Sequence, residues 1–470
     1  MSDIRVKYLG PQDRLSEVGI TGKQQIWHRG DSGFVPDTDA ALLVASGYFA
    51  LAEVVRANLS VDASGNVQGV QGAGGRVYQG VRQGVSASLR MWPNNGTATT
   101  GAGTGIGKII DTQHPALGDF YGVRLVYANY DITAPMVINK AKVAAAPRHL
   151  TPTGNSLTWS SQVTFGGSLT GSVPIATAGV GASPQNVIPG VLVSDFIGVA
   201  PVARLDGGTN KLLRVRTHIN DNSFPLVASF VSAQAWDGAA AINGLQYASY
   251  SFADTAANLE TNTASVTMNG SNFEPVEVIF YYATAVRSLA AFGDSITQGA
   301  NSTTSYLGWP DRMVMDNYKS GGPIIGAANY GVGGQRLEDS LATARAYCAQ
   351  NKPQYAAFFA WSPNNSPTQA VMDALWGNVL YTIDYLLKLG ITPVVLTSTA
   401  VDGYAQGLKD LVTAQNARVK ALPASVIVVD SAAVLATGGN ITPAYSAGDG
   451  THLNDVGYAL MGGMVYSAIK

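Results

Sequence analysis

Two short strings hold the residue types that nucleophilic chemistry needs. The first is Gly293-Asp294-Ser295-Ile296-Thr297-Gln298-Gly299, which follows an apolar run containing Val286, Leu289, Ala290, Ala291 and Phe292. Such a run reads as a buried strand that delivers Ser295 into a loop at its carboxyl end, the edge where open α/β sheets carry their chemistry. A serine there is a candidate nucleophile if a base lies within reach. The second string, Asp449-Gly450-Thr451-His452-Leu453-Asn454, offers that base. Of His28, His114, His149, His218 and His452, only the last follows Ser295. Asp449 can accept a hydrogen bond from the imidazole, fix its tautomer and stabilise the imidazolium formed when Ser295 loses its proton. Both strings also have plainer uses. Asp294-Ser295 is a helix-capping dipeptide, and His452 stands where a helix N-terminus would fall.

These strings resemble the conserved blocks of the SGNH (GDSL-type) hydrolases, and two further blocks can be aligned with that family. Asn329-Tyr330-Gly331-Val332-Gly333-Gly334 resembles the second, in which a glycine N–H helps hold the oxyanion. Spacing from Asn329 maps that donor to Gly334, with Gly333 as the neighbouring candidate. Ser362-Pro363-Asn364-Asn365 stands where the third block, Gly-x-Asn-Asp, is expected, and maps its asparagine donor to Asn364. Ser362 replaces the glycine and Asn365 the aspartate, departures that touch loop geometry rather than the donor. The resemblance covers roughly Val286 to Lys470. It implies an acyl transfer to water by Ser295, His452 and Asp449, with an oxyanion hole of Ser295 N–H, Gly334 N–H and the Asn364 amide. That chemistry needs no cofactor, and no Cys/His cluster in the sequence suggests a metal site.

The elements that must position these groups follow from the rhythm of the chain after Val286. Apolar strands are expected at Val286–Phe292, Ile324–Tyr330, Tyr355–Ala360, Thr392–Thr399 and Ala424–Asp430. Helical patterns intervene around Trp309–Val314, at Leu337–Asn351, Thr368–Leu389 and Gln406–Leu422, and again after His452. Strands without polar alternation, joined by helices, indicate a five-stranded parallel sheet covered on both faces. The fold expected for 285–470 is therefore a three-layer α/β domain, and the resemblance to the SGNH hydrolases implies that it is flavodoxin-like. Ser295, Gly334 and Asn364 follow the first three strands, so all reach one sheet edge with His452.

The rest of the chain reads differently. At 470 residues it is too long for one core, and about three domains is a fair prior. Residues 1–58 suggest a small β-rich module with strands near Val6–Leu9 and Gln25–His28 and a helix at Thr38–Ser46. It loosely resembles attachment modules of phage virion proteins. Residues 59–84 are Gly-rich, a linker or short strands. Residues 85–284 alternate in short runs broken by turn signals such as Asn94-Asn95-Gly96 and Asn269-Gly270, as in a β-sandwich or jelly roll. Its Trp92, Trp159, Trp236 and Tyr247 are candidates for stacking on sugar rings or, more simply, for the core.

Composition narrows the function further. The net charge is −2 and only 13% of residues are charged, which is no basis for nucleic-acid binding. The single cysteine, Cys348, excludes an intrachain disulfide. The start, Met1-Ser2-Asp3-Ile4-Arg5, lacks the apolar core of a signal peptide, and no run is long enough to span a bilayer. The combined expectation is an O-acetylesterase of a phage tail fibre or tailspike, acting on a bacterial surface polysaccharide and attached to other virion proteins. Trp361 beside the third block would wall the sugar site or pack inward. A homotrimer would suit such a fibre, although no repeat demands one. The rivals are a lipase or thioesterase with an apolar acyl groove, and a carbohydrate-binding protein with a retired site.

Overall fold

The computed structural model describes residues 286–303, 308–321 and 325–470, and much of 108–147, 161–179, 187–203, 211–219 and 277–282. It also describes the backbone of further strands between residues 3 and 84 and between 234 and 268. The chain divides into two compact units: residues 1–78 with 281–285, and residues 79–280 with 286–470.

In the first unit Asp3–Tyr8 pairs antiparallel with both Ser32–Pro36 and Phe49–Glu53. Arg14–Ser16 pairs with Ile26–His28, and Val55–Val61 with Val67–Arg76. The Gly-rich stretch thus contributes a strand. The helix expected at Thr38–Ser46 and the first part of the stretch read as a β-sandwich, residues 85–107, lie outside the described residues, as do the side chains on which the attachment-module resemblance rests.

The second unit opens with two antiparallel sheets. One is centred on Phe120–Asn129, flanked by Gly190–Val193 and Glu277–Tyr282; the other on Met136–Ala146, Lys211–Ile219 and Lys108–Ala116. The Tyr127 and Thr217 hydroxyls hydrogen bond from one sheet to the other at 3.0 Å, both buried. The half-buried Trp159 has one ring face under the Arg216 guanidinium, 4.7 Å from its centroid.

From Arg287 the alternation changes, and the architecture with it. Strands β1 (Arg287–Gly293), β2 (Ile325–Gly331), β3 (Tyr355–Phe359), β4 (Thr392–Leu396) and β5 (Ile427–Val429) form one parallel sheet in the order β2-β1-β3-β4-β5. This is the flavodoxin-like order, with its switch point between β1 and β3. The five-stranded parallel sheet is the one expected from the sequence. Every residue of β2 and β3 is buried, which only a sheet covered on both faces requires. The covering helices are α2 (Trp309–Lys319) and α7 (Asp455–Ile469), which pack together, and α3 (Leu337–Gln350), α4 (Gln369–Lys388) and α5 (Gln406–Lys420), which form a second row. Between β1 and α2 stands one turn of helix, α1 (Ser295–Gln298). A further turn, α6 (Ser431–Leu435), follows β5.

Candidate active site

Backbone chemistry at the end of β1 sets Ser295. Asp294 is extended and caps α1, its Oδ1 accepting the Ile296 N–H at 2.9 Å. Gly299 closes the turn in the left-handed region at φ 92. Ser295 is thereby the first residue of a short helix at the carboxyl end of β1. The neighbouring loop is fastened to it: the Val332 N–H donates to Gly293 O at 2.9 Å. The approach is so close that a Cβ on Gly331 would lie 2.2 Å from the Gln298 nitrogen. One on Gly293 would lie 2.2 Å from Thr297 Oγ1. Asn329, fully buried, braces the same corner, donating to Thr297 O at 3.0 Å and to Asp311 Oδ2 at 2.8 Å.

His452 comes from the loop before α7, 157 residues away in sequence, yet its Nε2 lies 2.7 Å from Ser295 Oγ. Its Nδ1 lies 2.5 Å from Asp449 Oδ2. The other Asp449 oxygen takes the backbone N–H groups of His452 and Thr451 at 2.8 and 2.9 Å. Gly448 and Gly450, at φ 90 and 75, allow the tight loop that folds the carboxylate back onto its own chain. Burial opposes ionisation of Asp449. The His452 and Thr451 N–H groups and the His452 ring nevertheless hold its carboxyl down to about 2.

A fourth residue joins this line that motif reading did not single out. Asn301 Nδ2 donates to Asp449 Oδ2 at 2.7 Å. Asn301 sits at φ 63, a conformation asparagine tolerates better than most residues with a side chain. The same segment is tied to α7 twice more, through Thr303 to Asp455 and through the Tyr458 hydroxyl to Ala300 O at 2.8 Å. Arg312 of α2 pairs with Asp455 at 3.1 Å. An Asn two residues beyond the capping glycine of the nucleophile turn is the only sequence trace this residue leaves.

The remaining expected groups lie on neighbouring loops of the same edge. Gly334 is exposed on the turn after β2, at φ 79. Asn364 follows β3, its Nδ2 donating to Gln335 O at 2.9 Å and to Ser362 Oγ at 3.2 Å. Asn365, where the family has aspartate, caps α3: its Oδ1 accepts the Leu337 N–H at 2.9 Å and its Nδ2 donates to Glu338 at 2.7 Å. Trp361 requires a correction. It is 1% exposed, packs edge-on against Tyr404 at 6.2 Å, and is a core side chain rather than a wall for substrate. Its position directly after a fully apolar strand explains why: it continues the buried layer of β3.

Residues 291–460 match the GDSL-like Lipase/Acylhydrolase family. The C-terminal region carries a GDSL-type hydrolase domain. It is of the class that hydrolyses esters. Among solved structures the chain is similar to a lipase/acylhydrolase from Enterococcus faecalis, at 22% identity over 39% of this chain and 95% of that one, TM-score 0.32. It is similar also to a lipase from a goat rumen metagenome, at 14% identity over 39% and 97%, TM-score 0.33. A third is a family 3 carbohydrate esterase from Clostridium thermocellum, at 12% over 39% and 94%, TM-score 0.29. No curated protein matches the chain.

Proposed function

We propose that the GDSL-type domain is a serine esterase in which Ser295 is the nucleophile, His452 the general base and acid, and Asp449 the residue that orients His452. The observation that carries this is the continuous line from Asp449 Oδ2 through both His452 nitrogens to Ser295 Oγ, at 2.5 and 2.7 Å. His452 takes the Ser295 proton as Oγ attacks the ester carbonyl, and later returns it to the leaving alkoxide. The N–H groups of Ser295 and Gly334 and the Asn364 amide hold the oxyanion. Loss of one such donor costs about 10²–10³ in rate. Water then repeats the sequence on the acyl-enzyme.

The substrate we propose is an O-acetylated bacterial surface polysaccharide, with the protein serving as part of a phage tail. Exposed, polar side chains beside the triad support a small acyl group on a large hydroxylated leaving group. The Asp449 and His452 side chains are 38% and 20% exposed, and among the described residues on the loops beside them Asn301 and Thr303 are polar and exposed. The test is acetate release from O-acetylated polysaccharide, beside p-nitrophenyl esters of acetate, butyrate and octanoate. The reading predicts release from the polysaccharide and rates that fall with acyl length. Rates that rise with acyl length would favour a lipase instead.

A further inference from the structure

We infer that Ser362 is a positioning residue for the oxyanion donor Asn364. A hydrogen-bond chain from Asn364 through Ser362 to Asp294 fixes which end of the Asn364 amide faces the site. The inference rests on the esterase reading above. It turns a departure from the family pattern, serine where the third block has glycine, into a working part.

The geometry is as follows. Ser362 and Asp294 are each 3% exposed. The Ser362 hydroxyl donates to Asp294 Oδ2. Asp294 Oδ1 is occupied by the Ile296 N–H at 2.9 Å, so the carboxyl group acts as an acceptor on both oxygens. A hydroxyl has one proton. Its alternative acceptor, Gln335 O, is 3.3 Å away and uncharged, so the proton belongs to the carboxylate. Ser362 Oγ can then offer only lone pairs to Asn364. It receives the Asn364 backbone N–H at 3.3 Å and Nδ2 at 3.2 Å. Gln335 O, also an acceptor only, takes the other Nδ2 hydrogen at 2.9 Å.

Two acceptors on one side of a side-chain amide admit only one orientation: the NH₂ end toward them, the carbonyl away. An oxyanion needs that same NH₂ end, because the carbonyl end would repel it. The bond to Gln335 O sets the plane of the amide. The longer bond to Ser362 Oγ is the one an incoming oxyanion can share or take. Glycine at position 362 would leave one Asp294 oxygen without its serine partner and remove one of the two acceptors that select the orientation. The chain also couples the oxyanion side of the site to Asp294, the residue whose backbone delivers Ser295.

The experiment is steady-state hydrolysis of p-nitrophenyl acetate by wild type, Ser362→Ala, Ser362→Thr, Asn364→Ala, the Ser362→Ala/Asn364→Ala double variant and Ser295→Ala, with thermal denaturation of each. Ser362→Ala lowers kcat about tenfold with KM within about twofold, and Ser362→Thr, which keeps the hydroxyl, recovers most of the loss. Because Ser362 acts through Asn364, the double variant is no slower than Asn364→Ala alone. If Ser362→Ala melts too low to assay, Ser362→Cys, a weak donor of similar size, takes its place with the same expected split. Full kcat in Ser362→Ala, or losses that multiply in the double variant, overturn the inference. Ser295→Ala separates the two levels: activity there defeats the esterase reading itself, whereas its inactivity beside an unaffected Ser362→Ala defeats only the role of Ser362.

Discussion

At the scale of single residues, four hydrogen bonds converge on one carboxylate. Asp449 takes two backbone N–H groups, the His452 ring and the Asn301 amide. Its folded pKa is depressed to about 2, below the ordinary value of 3.8, so its contribution to stability is present above about pH 4 and is lost as pH falls through about 2. A rate loss at mildly acidic pH therefore does not come from Asp449. Asp449→Asn keeps the shape, disturbs the tautomer of His452, and should lower kcat by the order of 10³–10⁴ in the same ester assay. Asn301 allows a subtler test. Asn301→Gly keeps a backbone at home at φ 63 and removes the amide; Asn301→Ala loses both. Both variants should lose kcat several-fold, and only the alanine should also lower the melting temperature. Equal melting with unchanged kcat in both would remove Asn301 from the site.

At the scale of elements, the strands are ordinary and the junctions are not. Phe292, Phe358 and Leu396 sit in central strands whose burial any apolar run of that length announces. That is why β1 to β5 and the helices between them were legible from periodicity, to within a few residues at the ends. Ser295, Asp449 and His452 were legible because each lies in a short local string. The roles of Ser362 and Asn301 were not, because those roles depend on partners 68 and 148 residues away and no local pattern carries such a pairing. Trp361 stayed open between substrate wall and packing because an aromatic beside a motif looks the same whether it faces in or out. The junction of β1 and β2 is where the fold has least slack. Gly331→Ala drives a Cβ to 2.2 Å from the Gln298 nitrogen, a backbone atom that cannot swing aside. It should destabilise by about 1–3 kcal/mol or more in chemical denaturation. Gly377→Ala on α4, where added bulk meets nothing within 4 Å, should be neutral or slightly stabilising.

At the scale of the whole molecule, the hydrolase domain is joined to the antiparallel sheet that precedes it by a buried acid. Glu277, on Glu277–Tyr282, accepts hydrogen bonds from the hydroxyls of Tyr330, at 2.8 Å, and of Tyr347. Burial, with Glu277 alongside, pushes the Tyr330 hydroxyl well above its ordinary pKa, so it remains a donor. Glu277→Ala leaves two buried hydroxyls without this acceptor and should cost about 3–5 kcal/mol, read as a lower melting temperature. Glu277→Gln should lose less. Covalent trapping of the nucleophile tests the role of Ser295 directly. Intact protein is treated with a p-nitrophenyl alkylphosphonate, and the mass of the adduct and the labelled peptide are determined. One adduct per chain is expected, on Ser295, abolished in Ser295→Ala and slowed by orders of magnitude in His452→Ala. An adduct on another serine, or labelling of Ser295→Ala at the wild-type rate, would contradict it.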